Sequence, residues 1–335
     1  MILVIFFIHF LWNYSSAHEE ADPTQIITPR IVGGNEANSG EWPWIAALVR
    51  PDASSNYEGQ FCGGSLIHPN WVVTAGHCVY YKSPANIIVL LGVHNLKDDI
   101  GEQIGVNRII IHPSYNNWTL DFDIALLELE HKVSFETILT ASDNLSLEGK
   151  LAYTMGWGKT DYNDYYSSDT LQEVVIPIVS NNTCNDAFNS YNPSLYNDNI
   201  TESMVCAGFA EGGKDACIGD SGGPLVIWHE NKWRLTGIVS WGNGCAQPGL
   251  YGVYTRVPQM NSFIYQYVPT SLIAGDLNQN GRLGLEDVIG ILQMVAGVRP
   301  KTLIYPLPGD YDGDGEHTIK DVIKILKVLT NNSSK

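Results

Sequence analysis

Three short strings hold residues whose types could carry covalent chemistry: TAGHC from Thr74 to Cys78, DIAL from Asp123 to Leu126, and GDSGGP from Gly219 to Pro224. A serine hydroxyl is a weak nucleophile at neutral pH. It needs a general base within hydrogen-bond reach, and that base needs a third group to hold it in one tautomer. Ser221, His77 and Asp123 supply these three types. The glycines around Ser221 leave room for a carbonyl to approach and let backbone N–H groups point at the oxygen as it gains charge. The chemistry implied is addition of a hydroxyl to a carbonyl, followed by acyl transfer.

The segments that must position these residues read as strands. From Ile31 to about Val268, β-branched and aromatic runs alternate with Gly, Asn, Asp and Pro clusters: Gly64 to Ile67, Trp71 to Thr74, Ile87 to Leu91, Asn107 to Ile111, Ile124 to Leu129, Leu225 to Trp228, Leu235 to Ser240 and Gly252 to Val257. Short strands at such spacing predict an all-β barrel or sandwich. Past Pro269 the pattern changes. GDLNQNGRLGLEDVIGILQMVAG, from Gly275, returns as GDYDGDGEHTIKDVIKILKVLTN from Gly309. Each copy is an acidic loop followed by an apolar helix pattern, with Val288, Ile289, Ile291, Leu292 and Val295 matching Val322, Ile323, Ile325, Leu326 and Leu329. That spacing predicts one apolar stripe per helix.

A chain of 335 residues is long enough for one large core and a smaller appended unit. Its formal net charge of −17 argues against a nucleic-acid partner and suits cationic substrates or calcium. The opening run MILVIFFIHFLW ends near Ser15-Ser16-Ala17, a small-residue pattern suited to signal peptidase, although no Lys or Arg precedes it. Residues 1–17 therefore read as a secretion signal, and the polar stretch 18–30, ending at Arg30, as a propeptide. No other stretch is apolar enough for a membrane helix. The six cysteines, at 62, 78, 184, 206, 217 and 245, favour disulfides over metal ligation and leave the pairing open.

IVGG at Ile31, TAGHC, DIAL, GDSGGP and SWG at Ser240, in this order, resemble the trypsin and chymotrypsin family over about residues 31–268. The resemblance implies two six-stranded antiparallel β-barrels with the catalytic residues at their junction. In that family's mechanism, here carried over from a known template, Ser221 attacks the carbonyl, His77 takes and returns the proton, and Asp123 orients His77. Gly219 and Ser221 would form the oxyanion hole. Asp215 aligns with the base of the primary specificity pocket and Gly242 and Gly252 with its walls, beside Ser240 and Trp241. A buried carboxylate there favours a substrate guanidinium or ammonium, so cleavage after Arg or Lys is expected. Cleavage of Arg30-Ile31 would free the Ile31 ammonium to pair with Asp220, which implies zymogen control. The family pairs Cys62 with Cys78, Cys184 with Cys206 and Cys217 with Cys245. Members with Tyr at the position of Tyr251 can bind sodium, so a sodium ion near Tyr251 is a second expected cofactor. The acidic loop holding Asp161, Asp164 and Asp169 is a candidate for selecting basic residues around the scissile bond. One departure is Gly76, where relatives usually carry Ala; a modest loss of rigidity beside His77, about 0.5–1 kcal/mol, is expected.

In the C-terminal repeats, oxygen ligands fall at calcium-loop spacing. Asp276, Asn278, Asn280 and Asp287, with the Arg282 carbonyl, form one set; Asp310, Asp312, Asp314 and Asp321, with the Glu316 carbonyl, form the other. The tandem resembles a dockerin module, a small all-α calcium-binding EF-like domain over residues 269–335. That resemblance implies calcium as cofactor and a cohesin-bearing scaffold as partner. The whole then reads as a secreted serine endopeptidase acting on protein or peptide substrates, extracellular and attached to a scaffold. The alternative is a catalytically inactive protease-like binding module.

Overall fold

The computed structural model describes residues 31–163, 165–196, 199–268, 277, 283–297, 311 and 318–332. Residues 1–30, read above as signal and propeptide and ending at Arg30, together with Asp164 and the loop residues Asp276, Asn278, Asn280, Arg282, Asp310, Asp312, Asp314 and Glu316, lie outside them.

In chain order the first elements are β1 (Asn35–Glu36), β2 (Ile45–Val49), α1 (Asn56–Gly59), β3 (Gln60–His68), β4 (Trp71–Thr74), α2 (Gly76–Val79), β5 (Ile88–Leu91), β6 (Glu102–Ile111), β7 (Ala125–Leu129) and β8 (Leu139–Thr140). They are followed by β9 (Leu151–Gly156), β10 (Gln172–Val179), α3 (Asn181–Tyr191), β11 (Met204–Ala207), β12 (Pro224–His229), β13 (Lys232–Trp241), β14 (Gly252–Arg256) and α4 (Val257–Tyr267). Two helices, α5 (Leu285–Val295) and α6 (Ile319–Asn332), complete the described chain.

Two closed antiparallel barrels of six strands result. The first runs β2-β3-β4-β7-β6-β5. The second runs β9-β10-β11-β14-β13-β12 and closes where Leu225 and Val226 of β12 pair with Thr154 and Tyr153 of β9. Closure leaves no free sheet edge inside either ring. The sequence explains the inward faces. In β10, Val174, Ile176 and Ile178 are buried and alternate with half-buried Glu173, Val175 and Pro177, the period of two that a one-sided strand requires. Every residue of β2, IAALV, is buried instead.

The barrels share a core. Val226, Leu235 and Ile238 of the second pack into the same cluster as Leu48, Leu66 and Val72 of the first, and Val257, Met260, Phe263 and Ile264 of α4 join them. The disulfides are Cys62–Cys78, Cys184–Cys206 and Cys217–Cys245, the pairs that the resemblance implies. Cys62–Cys78 ties β3 to the short helix carrying His77, and Cys217–Cys245 ties the nucleophile loop to the segment before β14.

Helices α5 and α6 pack through Val288, Ile291, Val322 and Ile325, the same positions of the two repeats, with Leu277, Leu283, Tyr311 and Leu329 around them. The expected apolar stripe is thus divided. Ile289, Leu292 and Val295, and Ile323 and Leu326, remain exposed, joined by Leu285 and Ile319.

Candidate active site

His77 lies in α2, one turn after β4, and Asp123 immediately precedes β7, so adjacent strands of the first barrel present both. His77 Nδ1 lies 2.7 Å from Asp123 Oδ2, and the His77 backbone N–H donates to Oδ1 at 2.8 Å. Asp123 is 1% exposed. Its enclosure comes from the second barrel: Ser240 Oγ donates to Oδ2 at 2.5 Å, and Thr255 Oγ1 donates to the Asp123 carbonyl at 2.6 Å. A carboxylate so bound fixes the imidazole with Nδ1 as donor and leaves Nε2 as the acceptor that a general base needs. Ahead of it, Asp121 accepts from Thr201 Oγ1 at 2.7 Å and from Ser203 Oγ, pinning this loop to the segment before β11.

Gly76 has a definite neighbourhood. A methyl there would lie 3.2 Å from Asp123 Oδ1 and 3.2 Å from Tyr115 Cδ2, tighter than ordinary contact. The glycine therefore lets Tyr115 pack against the Asp123 carboxylate. Burial, with the Asp123 charge, raises the Tyr115 phenol pKa and keeps it protonated.

Ser221 stands on the loop between the Cys217 half-cystine and β12. The Gly63 N–H donates to the Ser221 carbonyl at 2.7 Å, and Cys78, next to His77, brings its Sγ to 3.6 Å from the same oxygen. The backbone of the nucleophile candidate is thereby tied to the residue that follows the base candidate. Gly219 has φ +102°, and a Cβ on it would sit 2.9 Å from the Gly158 Cα, so only glycine fits this turn. Cys62 and Cys78 approach His77 closely enough to suggest a metal cluster, but both sulfurs are spent in one disulfide.

Beside Ser221 opens a pocket lined by Asp215, Ala216, Trp241, Gly242, Gly244 and Gly252 among others. Asp215 is 7% exposed. Ala246 N–H donates to its Oδ2 at 3.0 Å and the Ala216 N–H contributes weakly, while Oδ1 has no hydrogen-bond partner among the described residues. Desolvation pushes its pKa up to about 7. A Cβ on Gly252 would fall 2.5 Å from that free Oδ1, so glycine here keeps the carboxylate open to the pocket. Trp241 stacks on Tyr196 and tilts against Phe188.

Asp220 is 1% exposed and accepts from Gly158 N–H at 2.7 Å and Cys217 N–H at 2.9 Å. Burial raises its pKa to about 6 despite those two donors. Ile31 is fully buried in a cluster that includes Ala216, Val205 and Val239. The Val32 carbonyl accepts from Asp215 N–H at 3.2 Å, so the residues after Arg30 dock directly behind the pocket.

Of the site residues read from the sequence, His77, Asp123, Ser221, Gly219, Asp215, Trp241, Gly242 and Gly252 lie around one junction and pocket, while Arg30, Asp164 and most of the calcium-ligand candidates lie outside the described residues. Ser240 faces Asp123 rather than the pocket lining. In the acidic loop, Asp169 pairs with Lys97 at 3.2 Å, an exposed ion pair. Sequence reasoning missed Thr255, Asp121 and Gln60, whose Nε2 donates to the Gly219 carbonyl at 2.9 Å. Tyr251 is buried beside Leu250 and Val253.

Two closed barrels with an Asp–His pair and a glycine-bounded serine at their junction define a serine-protease domain of the chymotrypsin type. The family model described as Trypsin matches residues 31–264, and the chain belongs to that family. It is similar to a trypsin from Saccharopolyspora erythraea, 42% identical over 229 residues, 68% of this chain and 93% of the relative. It is also similar to human transmembrane protease serine 5, 36% identical over 261 residues, 74% of this chain and 53% of the relative. Limulus clotting factor C from Carcinoscorpius rotundicauda is 38% identical over 266 residues, 72% of this chain but 26% of that longer protein. The chain therefore spans about half or less of two of these relatives.

Proposed function

We propose that this protein is a secreted serine endopeptidase, made as a zymogen and cleaving after Arg or Lys. Family membership supports a serine endopeptidase, since the relatives it matches are named as trypsin and as a serine protease. The observation that carries the specificity is the half-satisfied Asp215 carboxylate, buried at the side of Ser221 with Oδ1 free. A guanidinium or ammonium brought by the substrate offsets that desolvation; a neutral side chain leaves it uncompensated.

In the reaction, His77 Nε2 takes the Ser221 proton as Oγ attacks the carbonyl carbon. Asp123 stabilises the imidazolium through the Nδ1 contact. The N–H groups of Gly219 and Ser221 hold the oxyanion, each worth about 3 kcal/mol in the transition state. The proton then passes to the leaving amine, and water attacks the acyl-enzyme by the same steps reversed.

Burial of Ile31 behind the pocket and the desolvation of the Asp220 carboxylate, which its two N–H donors do not offset, support activation at Arg30-Ile31. An ammonium freed there would neutralise Asp220 and so order the loop of Cys217 and Gly219. In the inactive-module reading such preparation would serve nothing. Recovering the secreted protein, sequencing its N-terminus and digesting a peptide library tests the whole: the sequence should begin at Ile31 and cuts should follow Arg or Lys. A sodium ion near Tyr251 would show as faster turnover in sodium than in choline chloride.

We further propose that the C-terminal pair is a dockerin-like calcium module that attaches the enzyme to a cohesin-type partner. Two of the ligand candidates lie among the described residues. Asp287 and Asp321 are fully buried. Asp287 accepts from Gly284 N–H at 2.8 Å. Asp321 accepts from Thr318 and Tyr311 N–H, both at 2.8 Å. The outward Ile289, Leu292, Ile323 and Leu326 supply an apolar face for a partner. Among the described residues no helix is long and apolar enough to cross a membrane.

A further inference from the structure

The loop carrying the oxyanion donors has an unusual anchor. Of the five carbonyls from Cys217 to Ser221, four accept from backbone N–H groups. Asp220 bonds Cys217 at 3.0 Å, Lys159 bonds Ile218 at 2.8 Å, Gly223 bonds Asp220 at 2.9 Å and Gly63 bonds Ser221 at 2.7 Å. The fifth, that of Gly219, accepts from the Gln60 side chain. Gly219 also has the least intrinsic restraint, because it lacks a Cβ and sits at φ +102°. Turning the peptide planes beside it would carry its N–H away from the reacting carbonyl.

Gln60 is well placed to prevent that. Its own backbone is fixed twice, by the N–H bond to the Asn56 carbonyl that ends α1 and by pairing with Val49 of β2. The side-chain amide spends both donor hydrogens, one on Gly219 and one on the Cys62 carbonyl at 3.2 Å. From the same corner, Tyr57 donates to the Ser167 carbonyl at 2.9 Å, and Ser167 Oγ lies 3.5 Å from the Cβ position of Gly219. The first barrel thus grips the nucleophile loop of the second through a side chain 159 positions away.

We propose that Gln60 is a positioning residue for the oxyanion hole: its amide holds the Gly219 carbonyl, hence the peptide plane after Gly219, while Lys159 N–H holds the Ile218 carbonyl in the plane of the Gly219 N–H. The two bonds together fix the torsions of Gly219 and keep its N–H aimed at the substrate oxygen. The assignment rests on the peptidase reading above. Three probes of the activated full-length protein separate it from a merely structural role. An arginine peptide amide reports kcat and KM. Benzamidine fills the Asp215 pocket without an oxyanion. A peptide aldehyde ending in argininal forms a tetrahedral adduct whose oxygen needs the hole.

Gln60→Glu keeps the shape and removes the donor. It should lower kcat and weaken the aldehyde by about ten- to a hundredfold, less than deletion of an oxyanion donor outright. KM and the benzamidine constant should stay within about twofold, the pattern of an interaction made only in the transition state. Gln60→His, which retains an N–H donor, should recover most of the loss. Unchanged kcat in Gln60→Glu, or aldehyde and benzamidine weakened alike, overturns the assignment while leaving the peptidase intact. An activated parent with no hydrolysis at all overturns the peptidase reading instead.

Discussion

Around Asp123 each carboxylate oxygen is occupied: Oδ1 by the His77 backbone, Oδ2 by the His77 ring and Ser240. In the neighbouring pocket, Asp215 is nearly as buried, yet it gives Oδ2 to Ala246 and leaves Oδ1 bare. The same side chain therefore serves two ends. A carboxylate whose oxygens are filled from inside the protein is fixed in charge and direction and can orient a base. One left half-filled stores an unfavourable desolvation that only an incoming cation relieves. The contrast lies in the second barrel, which offers hydroxyls of Ser240 and Thr255 to Asp123 but glycines to Asp215.

The largest effect should follow from disturbing the filled site. Asp123→Asn presents an amide to the imidazole and inverts its tautomer; by analogy with the known template kcat should fall about 10⁴-fold, with KM little changed. Initial rates on an arginine peptide check this. Should KM rise instead, Asp123 would belong to the binding surface. Next in size, Asp215→Asn keeps the pocket's shape and deletes its charge. Loss of a buried charged pair costs about 2–5 kcal/mol. The rate constant kcat/KM for arginine peptides should drop on the order of 10²–10³-fold, while that for phenylalanine peptides holds or rises.

A smaller, graded effect comes from protons. With its pKa raised to about 7, Asp215 is partly protonated in the free enzyme near neutrality and must be ionised to hold a cation. Benzamidine affinity should therefore be full above pH 8 and weaken as pH falls through about 7, approaching tenfold per unit below it. In Asp215→Asn the same titration should be flat. The smallest effect tests the other end of the chain. On the proposed calcium module, adding calcium to the full-length protein should raise its helical circular dichroism, and Asp321→Ala should abolish that rise and leave kcat/KM unchanged. A parallel loss of peptidase activity would show that the two units are not independent.

How much of this was legible in the sequence follows from how local each signal is. His77, Asp123 and Ser221 sit in strings that carry their own turn and strand chemistry, and the strands next to them, β4, β7 and β12, appear within one residue of the expected bounds. By contrast, β3, β6 and β13 begin three to five residues earlier than expected, and β2, β9, β10 and β11 have no counterpart among the expected strands. The cysteine pairs needed the family resemblance, since spacing alone left them open. Ser240, Thr255 and Gln60 reach their partners across 117, 132 and 159 positions. Single polar residues in strands bear no local mark of such contacts, which exist only once the barrels close on each other. The helix stripe was read correctly as apolar but not as two-faced, because a spacing of three and four cannot tell which half a partner helix will cover.

The central claim is that the bare oxygen of Asp215 selects a cationic side chain for attack by Ser221. Its most direct test is hydrolysis of three peptides, identical except for Arg, Lys or Phe before the scissile bond. The protein would be cleaved at Arg30, with Ser221→Ala as control. The account predicts rapid cleavage after Arg and Lys, at least about a hundredfold slower cleavage after Phe, and none by the variant. Equal cleavage of all three, or hydrolysis that survives in Ser221→Ala, would contradict it.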